Sequence, residues 1–554
     1  MPNPARWLDL SRIYFLFLLS VFIFLFALVS ILKNPVNFLG ITKKILLTFG
    51  PAEIILVIGF QVYNRLSFFP FSLPLLLFVG FFAFLTGIFL LFKLQKYRKA
   101  GEFWQEFKIK EKKERSRNKN WTLGFFLAII VILNLFFGSY HLAEFAAVDE
   151  PLWTFNRIPK FWNNVKEREF YKTMVSDKPG ITVAILSGIG LNWTNPKEYQ
   201  LFEGEDKANE GIPGIKKMNF AMRFPILLFN AILLIPLYFF IRRLAEKKTA
   251  AFSLILIGLS PILLGMSTII NPDSLLWSIS ALAFLGYLVY LQDHEKKYLY
   301  LSGFFLGLAI LTKYIANIFY VYFFGLIFLE YIFKREKYTD IPGYFQRAFR
   351  DYFSLVLVSL LTFFLFLPAA WVNVMRVLEG TILSKAFIKF WPVFLLLLAQ
   401  FIIDMKFLKS RILEKIMKKM IRLRKIIVGI ILFIFILSIA ATILNTYSGM
   451  KPYDFESILA SPKSSYLNSN FFSLYLANFY SLIFGIVPLA FLALVFWPIN
   501  FIVGKKEKIF WPVYIVLFII VYYLASTVEN VSATVRYQII VYPLALIVGA
   551  KGLT

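Results

Sequence analysis

The stretch "SYHLAEFAAVDEPLWTFNR" (139–157) places Glu144, Asp149 and Glu150 at the end of a long apolar run. A carboxylate at the half-dry edge of a membrane is a usable general base, because desolvation raises its pKa towards the working range. Asp149 and Glu150 are the candidates. Glu144 and His141, one or two turns earlier, read as structural or interfacial. The acid pair also suits the capping of a helix that opens at Pro151, since Pro is favoured at the first helical position. The two roles are compatible. Asp273, after Asn271–Pro272, stands at the mouth of another apolar helix, where it complements the dipole. Lys178, Arg223, Lys313 and Arg536 fall near the outer ends of their segments. Each alone can snorkel to the interface; together, on one face with the acid pair, they form a candidate clamp for a phosphate.

The elements that must position these groups are membrane helices. Of the 554 residues 59% are hydrophobic and 16% charged, too little polar surface for a soluble globule. Apolar runs of about 20 residues recur along the chain, each long enough to cross the hydrocarbon core. Candidate spans lie near 12–33, 44–63, 68–93, 121–143, 219–241, 250–268, 273–292, 298–313, 316–333, 350–373, 388–405, 425–445, 472–499, 508–527 and 536–554. The first run (Ile13–Leu32) is too long for a signal-peptide core and lacks a cleavage site, so it reads as a retained span. The fold class expected is an all-α polytopic membrane protein, with about 12 core spans and about 3 N-terminal helices.

The net charge of +27 follows the positive-inside rule rather than nucleic-acid binding. Segment 93–119 holds eleven Lys/Arg against four Glu, and 404–425 holds nine against two acids. Both read as solvated cytoplasmic loops that also touch anionic headgroups. Loops 242–249, 292–297, 334–349 and 504–508 then lie inside as well. Loops 144–218, 269–272, 374–387, 446–471 and 528–535 face outward, and only the first is large. With no cysteine and only two distant histidines, disulfides, thiolate chemistry and a histidine-built zinc site are excluded.

Within loop 144–218, Leu152, Phe155, Ile158, Phe161, Trp162 and Val165 recur at spacings of three or four between polar residues, the pattern of a helix lying in the membrane interface. Pro159 would kink or divide it. Lys178–Pro179–Gly180 marks a turn. The apolar stretch after it is too short to span, and reads as a second interfacial or re-entrant segment.

Five elements in order resemble the GT-C superfamily of polyprenyl-phosphate-dependent glycosyltransferases, and within it the protein O-mannosyltransferases and the lipid A aminoarabinose transferases. They are Asp149–Glu150 outside the first core helix; Lys178–Pro179, where the family usually reads Lys-Pro-Pro; and "MRFPILLFNAILLIPLYFFIRRL" (222–244). "INPDSLLWSISALAF" (270–284) with "GLAILTKY" (307–314) comes fourth, and "VRYQIIVYPLALIVGA" (535–550) last. The Trp-Trp-Asp signature of the related oligosaccharyltransferases is missing. The likeness covers roughly 121–554. It implies a glycosyltransferase core at 121–554 and does not reach 1–93, which reads as accessory membrane helices joined to the core by the basic linker 94–120. It also implies Asp149 as base, Glu150 to orient the acceptor or tune its neighbour, Asp273 as a second acid that positions the loop or the sugar, and Lys178, Arg536, Arg223 and Lys313 as ligands of the donor phosphate.

The function implied is inverting transfer of a sugar from a polyprenyl-phosphate donor to a hydroxyl acceptor on protein, lipid or glycan. The enzyme would sit in a prokaryotic cell membrane with its site facing outward. Its partners are that donor, the acceptor and membrane lipids, with no nucleic acid. No cofactor is required, because cationic side chains take the metal's role; a divalent ion between Asp149 and Asp273 is compatible with the scheme. The rival is a polytopic transporter or lipid flippase, which predicts mid-span charges along a path and internal repeats. The candidate charges instead gather at helix ends on one side.

Overall fold

The computed structural model describes residues 118–554, apart from 145–146, 148, 199–213, 335, 337, 339, 385–386, 408–409, 448–452, 461–469, 504–509 and 532. The helices expected at 12–33, 44–63 and 68–93, and nearly all of the linker 94–120, lie outside the described residues. Among the described residues the chain is helical, without strands. Helix α1 (Asn118–Ser139) leads through a π-helical turn (Leu152–Arg157) to α2 (Ile158–Lys166), then to α3 (Ile181–Ser187) with a 3-10 turn (Gly188–Asn192). Next come α4 (Ile215–Leu244), α5 (Lys247–Gly258), α6 (Pro261–Ser267), α7 (Asp273–Asp293) and α8 (Lys296–Thr312). A 3-10 turn (Tyr314–Asn317) precedes α9 (Ile318–Phe333), which is followed by α10 (Ile341–Phe366), α11 (Pro368–Val372) and α12 (Met375–Gly380). Then follow α13 (Trp391–Phe407), α14 (Arg411–Arg422), α15 (Arg424–Tyr447) and α16 (Phe455–Ala460). The last are α17 (Phe471–Gly485), α18 (Pro488–Val503), α19 (Trp511–Val528) and α20 (Tyr542–Gly552). Asn120–Trp162 and Phe170–Thr554 form one compact unit.

Among the described residues, six helices are long and apolar enough to cross a membrane: α4, α7, α9 with its leading turn, α10, α15 and α19. The bent pairs α5–α6 (55°) and α13–α14 (112°) raise that to eight. Some of the expected core spans do not meet this test among the described residues: the helices at 121–143 and 298–313 fall short in themselves, and proline divides or shortens other apolar runs. Pro261 separates α5 from α6, Pro488 splits the run 472–499, and the last run becomes helical only at Tyr542, beside Pro543. Proline lacks the amide a helix needs and disfavours helical geometry in the residue before it. The basic segment 404–425, expected as a loop, is largely helix α14.

Helix α7 is buried along its whole apolar window and forms the axis of the bundle. Ser274 and Ser278 are satisfied by neighbours, as a water-free interior favours, whereas the buried Ser280 hydroxyl meets no partner among the described residues. Asn230 of α4 donates to Ser267 Oγ (3.1 Å) and to the Ser274 carbonyl (2.8 Å), and accepts from Ser278 Oγ at 2.6 Å. At one end of the bundle Glu330 of α9 accepts from Tyr514 (2.8 Å) and pairs with Lys334 (2.8 Å). Asp351 of α10 accepts from Tyr290 (2.6 Å) and pairs with Lys296 (3.1 Å). The opposite end, where α7 and α9 begin and α8 stops, carries the buried acid of α7, Asp273.

The two amphipathic segments behave differently from each other. In 152–166 Ile158 and Phe161 of the expected apolar face are buried and Asn156 and Lys160 exposed, but Leu152 of that face is exposed and Trp153 beside it is buried. The distortion expected at Pro159 is taken up just before it, where the Ile158 amide reaches back five residues to the Trp153 carbonyl. The stretch 181–192, by contrast, does not lie on a surface. Ile181, Val183 and Ala184 are buried, and Gly190 sits so close to α4 that a Cβ there would stand 2.4 Å from the Ala221 carbonyl oxygen. Pro225 leaves that carbonyl without its helical donor, so the backbone is open to this approach.

Candidate active site

Four interruptions of helical structure bring the charged residues together. At the first, the chain turns at Asn271–Pro272, with the Asp273 amide donating to Asn271 Oδ1 at 3.0 Å, and α7 opens with Asp273 buried. At the second, α8 stops and Lys313 adopts extended backbone (φ −158°, ψ 130°), so that its Nζ reaches Asp273 Oδ1 at 2.6 Å. At the third, the irregular segment between α19 and α20 presents Arg536. Tyr522 donates to the Tyr537 carbonyl (2.7 Å) and Gln538 to Asn478 Oδ1 (2.6 Å), which fixes this segment against α19 and α17. Arg536 Nε then meets Asp273 Oδ2 at 2.9 Å, while its Nη1 pairs with Asp149 Oδ2. At the fourth, the loop after α1 delivers Asp149, whose side chain stays 44% exposed. The result is a run of alternating charge, Asp149–Arg536–Asp273–Lys313. The Tyr537 ring underlies it, 4.6 Å from Lys313 Nζ and 5.7 Å from the Arg536 guanidinium carbon. Tyr537 was missed in the sequence, although it stands beside Arg536 in the quoted motif.

Glu150 and Arg223 are placed otherwise than expected. Both are buried and face inward, away from the surface where Asp149 stands. Arg223 Nε and Nη2 bind the two Glu150 oxygens (2.7 and 2.8 Å), and its Nη1 donates to the Leu142 carbonyl at 2.7 Å. Glu150 also accepts from the amides of Ile270 and Ala147, both at 3.0 Å. A bidentate Arg–carboxylate pair with this many partners is a geometric clamp. It joins the loop carrying Asp149 to α4 and to the turn carrying Asp273. Consecutive residues in a tight turn cannot share a direction, and the Glu150 amide is itself bonded back to the Ala147 carbonyl at 2.9 Å.

Lys178 is brought in by the turn that the sequence marks. The Gly180 amide donates to the Thr312 carbonyl (3.2 Å), and the Thr182 and Thr312 hydroxyls bond at 2.7 Å, next to Lys313. Gly180 has φ +60°, and a Cβ there would stand 1.9 Å from the Trp153 ring. This accounts for Gly180 where the resembling families carry Pro: proline cannot take a positive φ or donate the amide. Among the described residues the half-buried Lys178 ammonium has no ion pair or side-chain hydrogen bond. A further cation, Arg157, lies over Trp153 (4.8 Å); burial lowers its pKa while Asp177 and Asp149 act against that.

Burial pushes the Lys313 ammonium below the ordinary lysine range; Asp273 resists this, and Arg536 and Lys178 reinforce it. Burial acts on Arg536 in the same sense, but Asp273 and Asp149 hold its guanidinium above the ordinary value. Among the described residues no three His, Asp or Glu side chains gather to hold a metal ion. Arg536 itself stands between Asp149 and Asp273.

Residues 215–341 match the family model described as dolichyl-phosphate-mannose-protein mannosyltransferase. The chain resembles that family. The match takes in Arg223, Asp273 and Lys313, whereas Asp149, Lys178 and Arg536 lie outside it. No curated protein matches the sequence. Two solved structures are similar. One is the archaeal oligosaccharyltransferase AglB from Archaeoglobus fulgidus, in complex with an inhibitory peptide and a dolichol-phosphate: 12% identity, 79% of this chain and 50% of that one, TM-score 0.44. The other is the Archaeoglobus fulgidus oligosaccharyltransferase in its apo form: 11% identity, 79% of this chain and 51% of that one, TM-score 0.45. The chain thus spans about half the length of the structures it matches.

Removing one partner of the buried clamp leaves an uncompensated charge, so Arg223→Met should cost about 3–5 kcal/mol. The half-exposed Asp149–Arg536 pair is worth far less, and Asp149→Asn should cost under about 1 kcal/mol. Thermal unfolding in detergent will separate the two: a lowered midpoint for the first and a near-native one for the second. In the same measurement Gly180→Pro should lower the midpoint more than Gly180→Ala, because only proline also removes the amide bonded to Thr312.

Proposed function

We propose that the chain is an integral-membrane inverting glycosyltransferase, moving a sugar from a polyprenyl-phosphate donor to a hydroxyl acceptor. Its core is residues 121–554, and residues 1–93 are accessory. The observation that carries this reading is the pairing of a half-exposed carboxylate, Asp149, with a cationic wall formed by Arg536, Lys313 and the unpaired Lys178. The printed name of the matching family supports a dolichyl-type phosphate as carrier. Lys and Arg at the bundle's other end (Arg242, Arg243, Lys296, Lys297 and Lys334) support an outward-facing site.

In this scheme the acceptor hydroxyl gives its proton to Asp149 Oδ2 as its oxygen attacks the anomeric carbon. The bond from that carbon to the phosphate oxygen breaks, and its electron pair leaves with the polyprenyl phosphate. One attack from the opposite face inverts the configuration. Lys178, whose ammonium has no ion pair among the described residues, meets the phosphate first, and Arg536 exchanges its contact with Asp149 for one with the departing charge. Asp273 keeps Lys313 and Arg536 in place. Glu150 and Arg223 position the loop of Asp149 and touch neither substrate.

Protein in lipid nanodiscs, offered polyprenyl-phosphate sugars and membrane extract, should transfer sugar. Asp149→Asn should lower the rate by about 10²–10⁴-fold, as expected for loss of a general base, while still binding donor. Equal transfer by both proteins removes Asp149 from the mechanism, and absence of both turnover and donor binding removes the glycosyltransferase reading. The pH–rate profile gives a second test. Burial lowers the Lys313 pKa, so its charge is lost on raising the pH before that of ordinary lysines. Activity should fall on that alkaline limb, and Lys313→Arg should move the limb to higher pH.

A further inference from the structure

Helix α14 is joined to α13 by a bend of 112°. The elbow is built, not incidental. Asp404, buried in the last turn of α13, accepts from the amides of Ile412 (3.1 Å) and Leu413 (2.9 Å), and its carbonyl accepts from the Ser410 amide at 2.9 Å. Helix α13 runs alongside α9, with Phe394 against Phe324 and Phe401 against Phe328. It starts at the acidic site's end of the bundle, where Lys389 pairs with Glu529 at 3.0 Å. It finishes at the other end, where Arg424, just after α14, donates to Glu336 at 2.7 Å. A helix set at right angles to the end of a span lies along the membrane surface.

The sequence of α14 divides its circumference into three strips. Leu413 and Met417, one turn apart, are buried against the bundle. Ile412, Ile416 and Leu423 form a second apolar strip that is 53%, 45% and 37% exposed. Lys415, Lys419 and Arg422 form a third, exposed strip beside the second, extended by Arg411 and Lys418. An apolar flank bordered by lysine and arginine suits a helix embedded at headgroup depth, with its hydrophobes in the acyl region and its cations on anionic lipid. Segment 93–119 is an unsuitable cover, because its own excess of Lys/Arg repels the strip.

We propose that α14 is a membrane-surface helix that binds anionic phospholipid headgroups in the leaflet opposite the acidic site. The full chain would be reconstituted in nanodiscs of phosphatidylcholine with or without about a third phosphatidylglycerol. The protein has no cysteine, so single spin labels at Ile416→Cys and Lys418→Cys report their surroundings directly. The expected result is a label at 416 accessible to oxygen and shielded from an aqueous nickel reagent, with the reverse at 418. Lys415→Gln/Lys418→Gln/Lys419→Gln should reduce preferential retention of phosphatidylglycerol, read by native mass spectrometry, on the order of a hundredfold. The triple Lys→Arg protein should keep it, and unchanged unfolding midpoints separate lost lipid binding from lost folding. A label at 416 that is open to water overturns the proposal. So does one shielded from both reagents, which means that protein covers the strip, and so does undiminished retention in the Gln variant.

Discussion

Everything at the acidic end of this bundle depends on the Arg536 guanidinium being held between two carboxylates. Asp273 is buried at the mouth of a helix that is itself buried throughout. An isolated charge there would be prohibitively desolvated, and it is stable only because Lys313 and Arg536 take one oxygen each. Those contacts set where α8 may stop and how the segment before α20 must turn. They also leave Arg536 two further nitrogens, one of which meets Asp149 at the edge of the site. A fully buried acid thereby fixes the position of a half-exposed one through a shared cation.

A second layer of structure keeps Asp149 at that edge. The Glu150–Arg223 clamp ties its loop to α4 and to the Ile270 amide, two residues from Pro272. The Gly180 turn, pressed on Trp153 and bonded to Thr312, brings Lys178 up beside Lys313. None of these supports needs to touch a substrate. Each fixes an interruption of helical backbone, and such interruptions are tolerated at membrane depth only where protein satisfies them.

Much of this was legible in the sequence, and the failures have physical causes. Asp149, Asp273, Lys313 and Arg536 each follow an apolar run, so their common depth could be read from hydropathy alone. That Glu150 turns away from its neighbour could not, because direction within a turn depends on which backbone amides are bonded. Arg223 misled for a related reason: a charge near a helix end looks the same in sequence whether it snorkels to water or is clamped inward. The stretch 181–192 reads by its length as interfacial or re-entrant, and the sequence leaves that choice open because its burial rests on Gly190 meeting the carbonyl that Pro225 frees, a contact between distant segments. Proline predicted turns well and span counts poorly, since one residue can divide a run without changing its hydropathy.

The order of these residues along the chain has a consequence for biogenesis. Asp149 leaves the ribosome early and Arg536 late; Arg536 and its partner Asp273 are themselves 263 residues apart. Helix α7 therefore enters the membrane with a carboxylate whose second cation is not yet made. Until the segment before α20 arrives, Lys313 alone must neutralise Asp273, and the loop of Asp149 has only the Glu150–Arg223 clamp to hold it. The pairing of Arg536 with Asp273 therefore completes this end of the bundle only after the chain between them has been made. Chains released before the last helices would carry the acids without the cation that organises them, and would be the natural targets of membrane quality control.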